Sequence, residues 1–144
     1  MKKAFIFPGQ GSQSIGMGKD LYKYTEIGNK LYNHADAVLG YSISNISFDG
    51  PNNKLIKTQY TQPAIFIHSA IISKILETKN IIPDSVSGHS LGELSALVCA
   101  NVITFDEGLK IVKTRCEEMS KAGERISGTM AAIIGASKNQ LKMI

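Results

Sequence analysis

The sequence predicts an α/β fold, a mostly parallel sheet covered by helices. Three observations lead there. Short apolar runs end at turn residues: Lys3 to Phe7 stops at Pro8-Gly9, and a strand candidate at Ser85-Val86-Ser87 stops at Gly88. Each run passes through a loop into a stretch with helical periodicity, so strand, loop and helix alternate. The same order returns near the end, where Thr129 to Gly135 reads as a strand and Ser137 as the cap of a helix starting at Lys138.

The elements follow in order. After the first strand comes the loop Pro8-Gly9-Gln10-Gly11-Ser12-Gln13. It is rich in backbone donors, but the third glycine of a dinucleotide fingerprint is missing and so is P-loop spacing. Thr25 to Leu39 is helical, with Ile27, Leu31, Ala35, Val38 and Leu39 on one face and Gly40 to close it. Ser42 to Lys57 holds the turn Asp49-Gly50-Pro51 and reads as irregular, with short helical pieces. Thr61-Gln62-Pro63 opens a helix to about Thr78, with Pro63 expected at the first helical position. That helix is apolar over most of its girth, so it should be buried, with His68 as a core histidine holding one hydrogen bond. Leu91 to Ala100 forms the next helix. Thr104 and Glu107 make a capping box for another, running to about Ala122. Its stripe of Phe105, Leu109, Val112, Cys116 and Met119 falls within about 40° of one direction. Ala122 to Gly128 reads as a linker.

The chain has 144 residues, enough for one domain with a core. A composition of 43% hydrophobic and 19% charged residues fits a soluble globular protein. The net charge of +4 is scattered, without basic runs, which argues against a nucleic-acid surface. The two cysteines, Cys99 and Cys116, have no metal-ligand spacing and suggest buried thiols in a reducing compartment. The apolar run after Lys2-Lys3 is too short for a signal peptide, and no stretch has membrane-spanning length. A cytoplasmic protein is the expectation. Because the sequence stops one turn into a helix, a piece of a longer protein is expected too.

The chemistry centres on Gly88-His89-Ser90-Leu91-Gly92-Glu93. This is G-x-S-x-G between a strand and a helix, the arrangement of a nucleophile elbow. The plainer reading is a helix that begins with a serine cap. In a parallel sheet the site lies beyond the carboxyl ends of the strands. The loop after the first strand and the elbow can therefore meet at one edge. The amide of Leu91, with one from the first loop such as Gln10, would then form an oxyanion hole. Arg115 sits roughly 80° from the buried stripe of its helix, where its stem can pack while its guanidinium reaches a cleft. A solvated surface arginine fits that spacing equally well. Serine needs a base. Of the three histidines, His89 precedes Ser90 directly, so their side chains should diverge, and His34 and His68 lie mid-helix. No base is assignable in this sequence.

Phe7-Pro8-Gly9-Gln10-Gly11-Ser12-Gln13, Thr61-Gln62-Pro63-Ala64, Gly88 to Glu93 and Arg115 together resemble the malonyl-CoA:acyl carrier protein transacylases. That family includes the acyltransferase domains of fatty acid and polyketide synthases. The order and spacing agree along the whole chain. The resemblance implies an α/β-hydrolase-like core over residues 1–127. Residues 128–144 would hold the opening strand and helix of an incomplete, ferredoxin-like subdomain. It implies that Ser90 attacks malonyl-CoA and carries the malonyl ester. The amides of Gln10 and Leu91 would bind the oxyanion, and Arg115 the malonyl carboxylate. Acyl carrier protein would take the group on its phosphopantetheine thiol. No metal or further cofactor is implied; CoA and phosphopantetheine are substrate carriers. Family members are about twice this length, with their catalytic histidine downstream of Ile144, so little activity is expected of this chain alone.

Two other readings remain open. A serine esterase or thioesterase shares the elbow but has no need of Arg115. A non-catalytic fragment or interaction module would bind a partner through exposed core residues such as Met130 and Ile133. Acyl-group selectivity and oligomeric state are not legible.

Overall fold

The computed structural model describes residues 2–125 and 133–142. Two parallel strands, β1 (Ala4–Phe7) and β2 (Ser85–Gly88), run in register from Ala4 beside Ser85 to Phe7 beside Gly88. Between them the chain builds α1 (Lys19–Tyr24), α2 (Glu26–Leu39), α3 (Ile43–Asp49), α4 (Asn52–Leu55) and α5 (Thr58–Thr78). After β2 come α6 (Gly92–Cys99), α7 (Phe105–Arg125) and the single-turn α8 (Lys138–Leu141). The α/β expectation holds as a small parallel sheet with many helices.

The caps explain the clearest helices. Thr25 accepts from the Gly28 amide at 2.9 Å to start α2, and Gly40 ends it in the left-handed conformation. Thr104 and Glu107 form the expected reciprocal box, with the Thr104 amide donating to Glu107 Oε2 at 2.8 Å and the Glu107 amide to Thr104 Oγ1 at 3.2 Å. Ser137 and Gln140 make the same box for α8.

Helix α5 differs from expectation. It begins three residues earlier, at Thr58, where the Thr61 amide donates to Lys57 O at 2.9 Å. Pro63 therefore sits inside the helix, not at its first position. Proline cannot donate back to the carbonyl of Gln59. That carbonyl accepts instead from Tyr41 Oη at 3.0 Å, so the interior proline leaves no orphan there. Two further differences are α1, which the sequence reading passed over, and α7, which runs to Arg125, into the start of the expected linker. The expected strand Thr129 to Gly135 and the boundary at 127/128 fall largely on 126–132, outside the described residues. Its described end, Ile133 to Gly135, is not strand.

The core lies among α2, α5 and α7. Tyr32, Ala35, Phe66, Ile71, Leu109 and Val112 are fully buried there. Phe66 stacks on Phe105 at 5.6 Å between ring centroids. Gly108 makes room for it: a Cβ there would lie 2.6 Å from Phe66 Cζ. His68 is half-buried on α5, its Nδ1 enclosed without a hydrogen-bond partner. The expected single hydrogen bond is not made by that nitrogen. Burial pulls its pKa below the usual histidine value, against an opposing pull from Asp20.

Candidate functional site

The two informative loops meet at the carboxyl edge of the sheet. Past β2, the His89 amide donates to Phe7 O, the last carbonyl of β1, at 3.1 Å. The approach is too close for side chains. A Cβ on Gly92 would lie 2.2 Å from Phe7 O, one on Gly88 2.0 Å from the Gly92 carbonyl carbon, and one on Gly9 2.7 Å from His89 O. The three glycines are thus required by backbone-to-backbone packing. They press the first loop against the elbow.

Ser90 stands at the tip with φ 55°, in the left-handed region. Few non-glycine residues adopt it, and where they do, a surrounding structure holds them there. Helix α6 starts at once: the Gly92 amide donates to His89 O at 2.9 Å and the Glu93 amide to Ser90 O at 3.2 Å. Among the described residues, the Leu91 and Gln10 amides donate to no other group. Leu91 itself is buried, at 1% exposure, and anchors the turn while Ser90 stays exposed.

Arg115 reaches this tip from α7. Its Nη2 donates to Ser90 Oγ at 3.1 Å, and its Nη1 donates to Gln62 Oε1. Within the described residues no carboxylate lies within salt-bridge reach of this guanidinium. A cation with a five-donor fork facing an exposed hydroxyl, and no anion beside it, is suited to bind a carboxylate from solution.

The structure thus brings together four residues singled out in the sequence: Ser90, Leu91, Gln10 and Arg115. It adds Gln62, which the sequence reading had placed only in a motif. Gln62 is 1% exposed on α5. Its Nε2 donates to Gln10 Oε1 at 3.2 Å and to Met119 Sδ at 3.3 Å, while Gln10 Nε2 donates to Thr58 Oγ1 at 3.4 Å. Cys116 Sγ also donates to Gln62 Oε1, at 3.6 Å. Burial pushes the Cys116 thiol up to about 12, partly offset by Arg115, so it stays protonated and is no rival nucleophile. A glutamine inside an otherwise apolar helix was the available signal.

The histidines stay apart from the serine. His34 pairs with Asp106 at 3.1 Å, His68 lies inside α5, and the His89 ring turns toward Gly9. Among the described residues none bonds Ser90 Oγ, and no group of three or more His, Cys, Asp or Glu side chains could hold a metal ion.

The acyl transferase domain family matches residues 4–144. The chain belongs to the acyl transferase domain family. The malonyl CoA-acyl carrier protein transacylase of Bacillus subtilis is 41% identical over 143 residues, 99% of this chain and 45% of that protein. The crystal structure of the Synechocystis malonyl-CoA:ACP transacylase superposes with a TM-score of 0.90 at 43% identity, covering 99% of this chain and 47% of that one. A malonyl-transacylase solved in complex with a type II PKS acyl-carrier protein superposes at 0.80 with 40% identity, covering 85% of this chain and 40% of that one. The chain therefore spans about half the length of the relatives it matches. Among the described residues, no helix is long and apolar enough to cross a membrane.

Proposed function

We propose that this chain carries the acyl-loading half of a malonyl-CoA:acyl carrier protein transacylase site, with transfer through an acyl-serine. The observation that supports it most is the pairing of Ser90 Oγ with the Arg115 guanidinium, 3.1 Å apart at the open edge of the sheet. A nucleophile beside a guanidinium that pairs with no carboxylate among the described residues selects an acyl group that ends in a carboxylate. Malonyl is the smallest dicarboxylic acyl group whose carboxylate can reach back from a thioester to such a neighbour.

The chemistry runs in two displacements. Ser90 Oγ bonds to the thioester carbonyl carbon as its proton leaves to a base. The amides of Leu91 and Gln10 face the resulting oxyanion, where each donor is worth about 10²- to 10³-fold in rate. The carbon–sulfur bond then breaks and CoA departs as the thiol with a proton returned to it. The phosphopantetheine thiol attacks the malonyl-serine ester in the same way, and Ser90 is restored with its proton. Arg115 holds the distal carboxylate through both steps. Its hydrogen bond to Oγ also favours the oxygen at the moment it gives up its proton. No histidine here serves as base, so we assign none to this chain and propose that it acts slowly by itself; general-base assistance alone is typically about 10²- to 10⁴-fold. The reading needs no metal or bound cofactor, with CoA and phosphopantetheine as carriers, and places the reaction in the cytoplasm. We further assign residues 128–144 to the start of a small ferredoxin-like subdomain, following the resemblance and the family match through residue 144.

The test is intact-mass analysis after incubation with malonyl-CoA or acetyl-CoA. A malonyl ester should form on Ser90, and Ser90→Ala should abolish it. Arg115→Ala should remove malonyl loading while sparing acetyl loading. Equal loss of both would favour an esterase-like serine with no carboxylate anchor.

A further inference from the structure

We infer that Gln62 is a positioning residue that presents Arg115 to the acyl carboxylate as an uncompensated cation and ties it to the oxyanion loop. This rests on the acyl-loading reading above.

The argument starts from what a glutamine amide can do. It offers two acceptor lone pairs and two N–H donors. At 1% exposure Gln62 has no water to turn to, and all four places are filled. Its oxygen takes Arg115 Nη1 and Cys116 Sγ; its nitrogen gives to Gln10 Oε1 and Met119 Sδ. The orientation is dictated by the partners. Reversed, the amide would set its own N–H groups against the guanidinium and its oxygen against the Met119 sulfur. The guanidinium, which only donates, therefore locks the glutamine, and the glutamine locks one arm of the guanidinium. The other arm is left pointing at Ser90.

Two properties follow. Gln62 is neutral, so it holds Arg115 without cancelling its charge. A glutamate of the same shape would form a buried ion pair there and compete with any incoming carboxylate. Gln62 also links the two halves of the site. Its bond to the Gln10 side chain ties the residue whose amide faces the oxyanion to the residue that holds the carboxylate. Those halves come from opposite ends of the sequence, the β1 loop and α7.

A structural role alone would be kept by a residue of the same size, so charge and shape must be separated. The readout is equilibrium affinity for malonyl-CoA against acetyl-CoA, by calorimetry on this chain. The unsubstituted chain should prefer malonyl-CoA. Gln62→Glu keeps the shape and should erase the preference. Gln62→Met loses the hydrogen bond and should reduce the preference about tenfold, as expected for a bond to a charged group. Acetyl-CoA affinity should barely move in either. Gln10→Met, at an exposed position, keeps the backbone amide and breaks the side-chain bonds to Gln62 and, on the surface, to Thr58. It should give a smaller loss, and it serves where a Gln62 variant melts below the working temperature. An unchanged preference in a folded Gln62→Glu, or in Gln10→Met where Gln62→Glu does not fold, overturns the assignment of Gln62. Equal affinities in the unsubstituted chain would instead remove the acyl-loading reading and this inference with it.

Discussion

The α5–α7 interface and the two-stranded sheet hold the same site by opposite means. Between the helices, Phe66, Leu109 and Val112 are fully buried, and Arg115 and Gln62 grow out of that packed layer. In the sheet, Ile6 is 79% exposed and no residue of β2 is buried. Parallel sheets ordinarily have both faces covered. Ser90 is nonetheless held in a left-handed conformation, because Gly88, Gly92 and Gly9 let backbone press on backbone. The carboxylate-binding side is thus positioned by side-chain packing and the nucleophile by the absence of side chains. The two should fail in different ways when disturbed.

The largest effect is expected on the packed side. Phe66 is fully buried, stacks on Phe105 and fills the space above Gly108. Phe66→Ala should lower the unfolding free energy by about 3–5 kcal/mol. Urea denaturation measures it. Leu91 joins the elbow to this same cluster, but the turn at Ser90 is set by the backbone contacts of Gly88, Gly92 and Gly9, so Ser90 loading per folded molecule should change little. A loss of loading that outruns the loss of folded protein would show that the two regions are mechanically one.

Gly92→Ala is the reverse experiment. Its Cβ would lie 2.2 Å from Phe7 O, a backbone atom that cannot swing aside. Overpacking of this kind typically costs about 1–3 kcal/mol, less than the phenylalanine deletion. Its effect on chemistry should be greater, since a shift of about 1 Å at a nucleophile can cost on the order of 10²-fold. Malonyl loading followed by mass, set against thermal melting, separates the two quantities. Full loading in a mildly destabilised Gly92→Ala would mean that the elbow tolerates a side chain after all.

The same contrast accounts for what could be read in the sequence. Local signals were legible. Gly40 at the end of α2, Thr104 with Glu107, and the glycines around Ser90 act over a few residues, and the structure bears out those caps and that turn. What depends on distant partners was not. Pro63 looked like a helix start because it lacks an N–H. The hydroxyl that satisfies the Gln59 carbonyl belongs to Tyr41, on another segment. Gln62 looked like part of a helix opening because Gln10, Arg115 and Met119, which define it, are more than fifty positions away. Arg115 was placed on the shoulder of its helix by period alone. Only the fold shows that the shoulder faces Ser90.

The smallest effect is expected where the sheet is bare. Ile6 alternates with Phe5 and Phe7, and Phe7 is buried at 6% exposure while Ile6 lies largely open to solvent. A residue exposed in the folded chain gains almost nothing on folding, so its replacement acts on neither packing nor cavity volume. Threonine keeps the β-branch that suits a strand and removes only apolar surface. Ile6→Thr should therefore change the unfolding free energy by less than about 0.5 kcal/mol, while reducing self-association at high concentration. Urea denaturation and light scattering together test this. A loss above about 1 kcal/mol that grows with protein concentration would show that the Ile6 face is covered in solution. The contrast between a packed half and a bare half would then belong to the single chain and not to its assembled state.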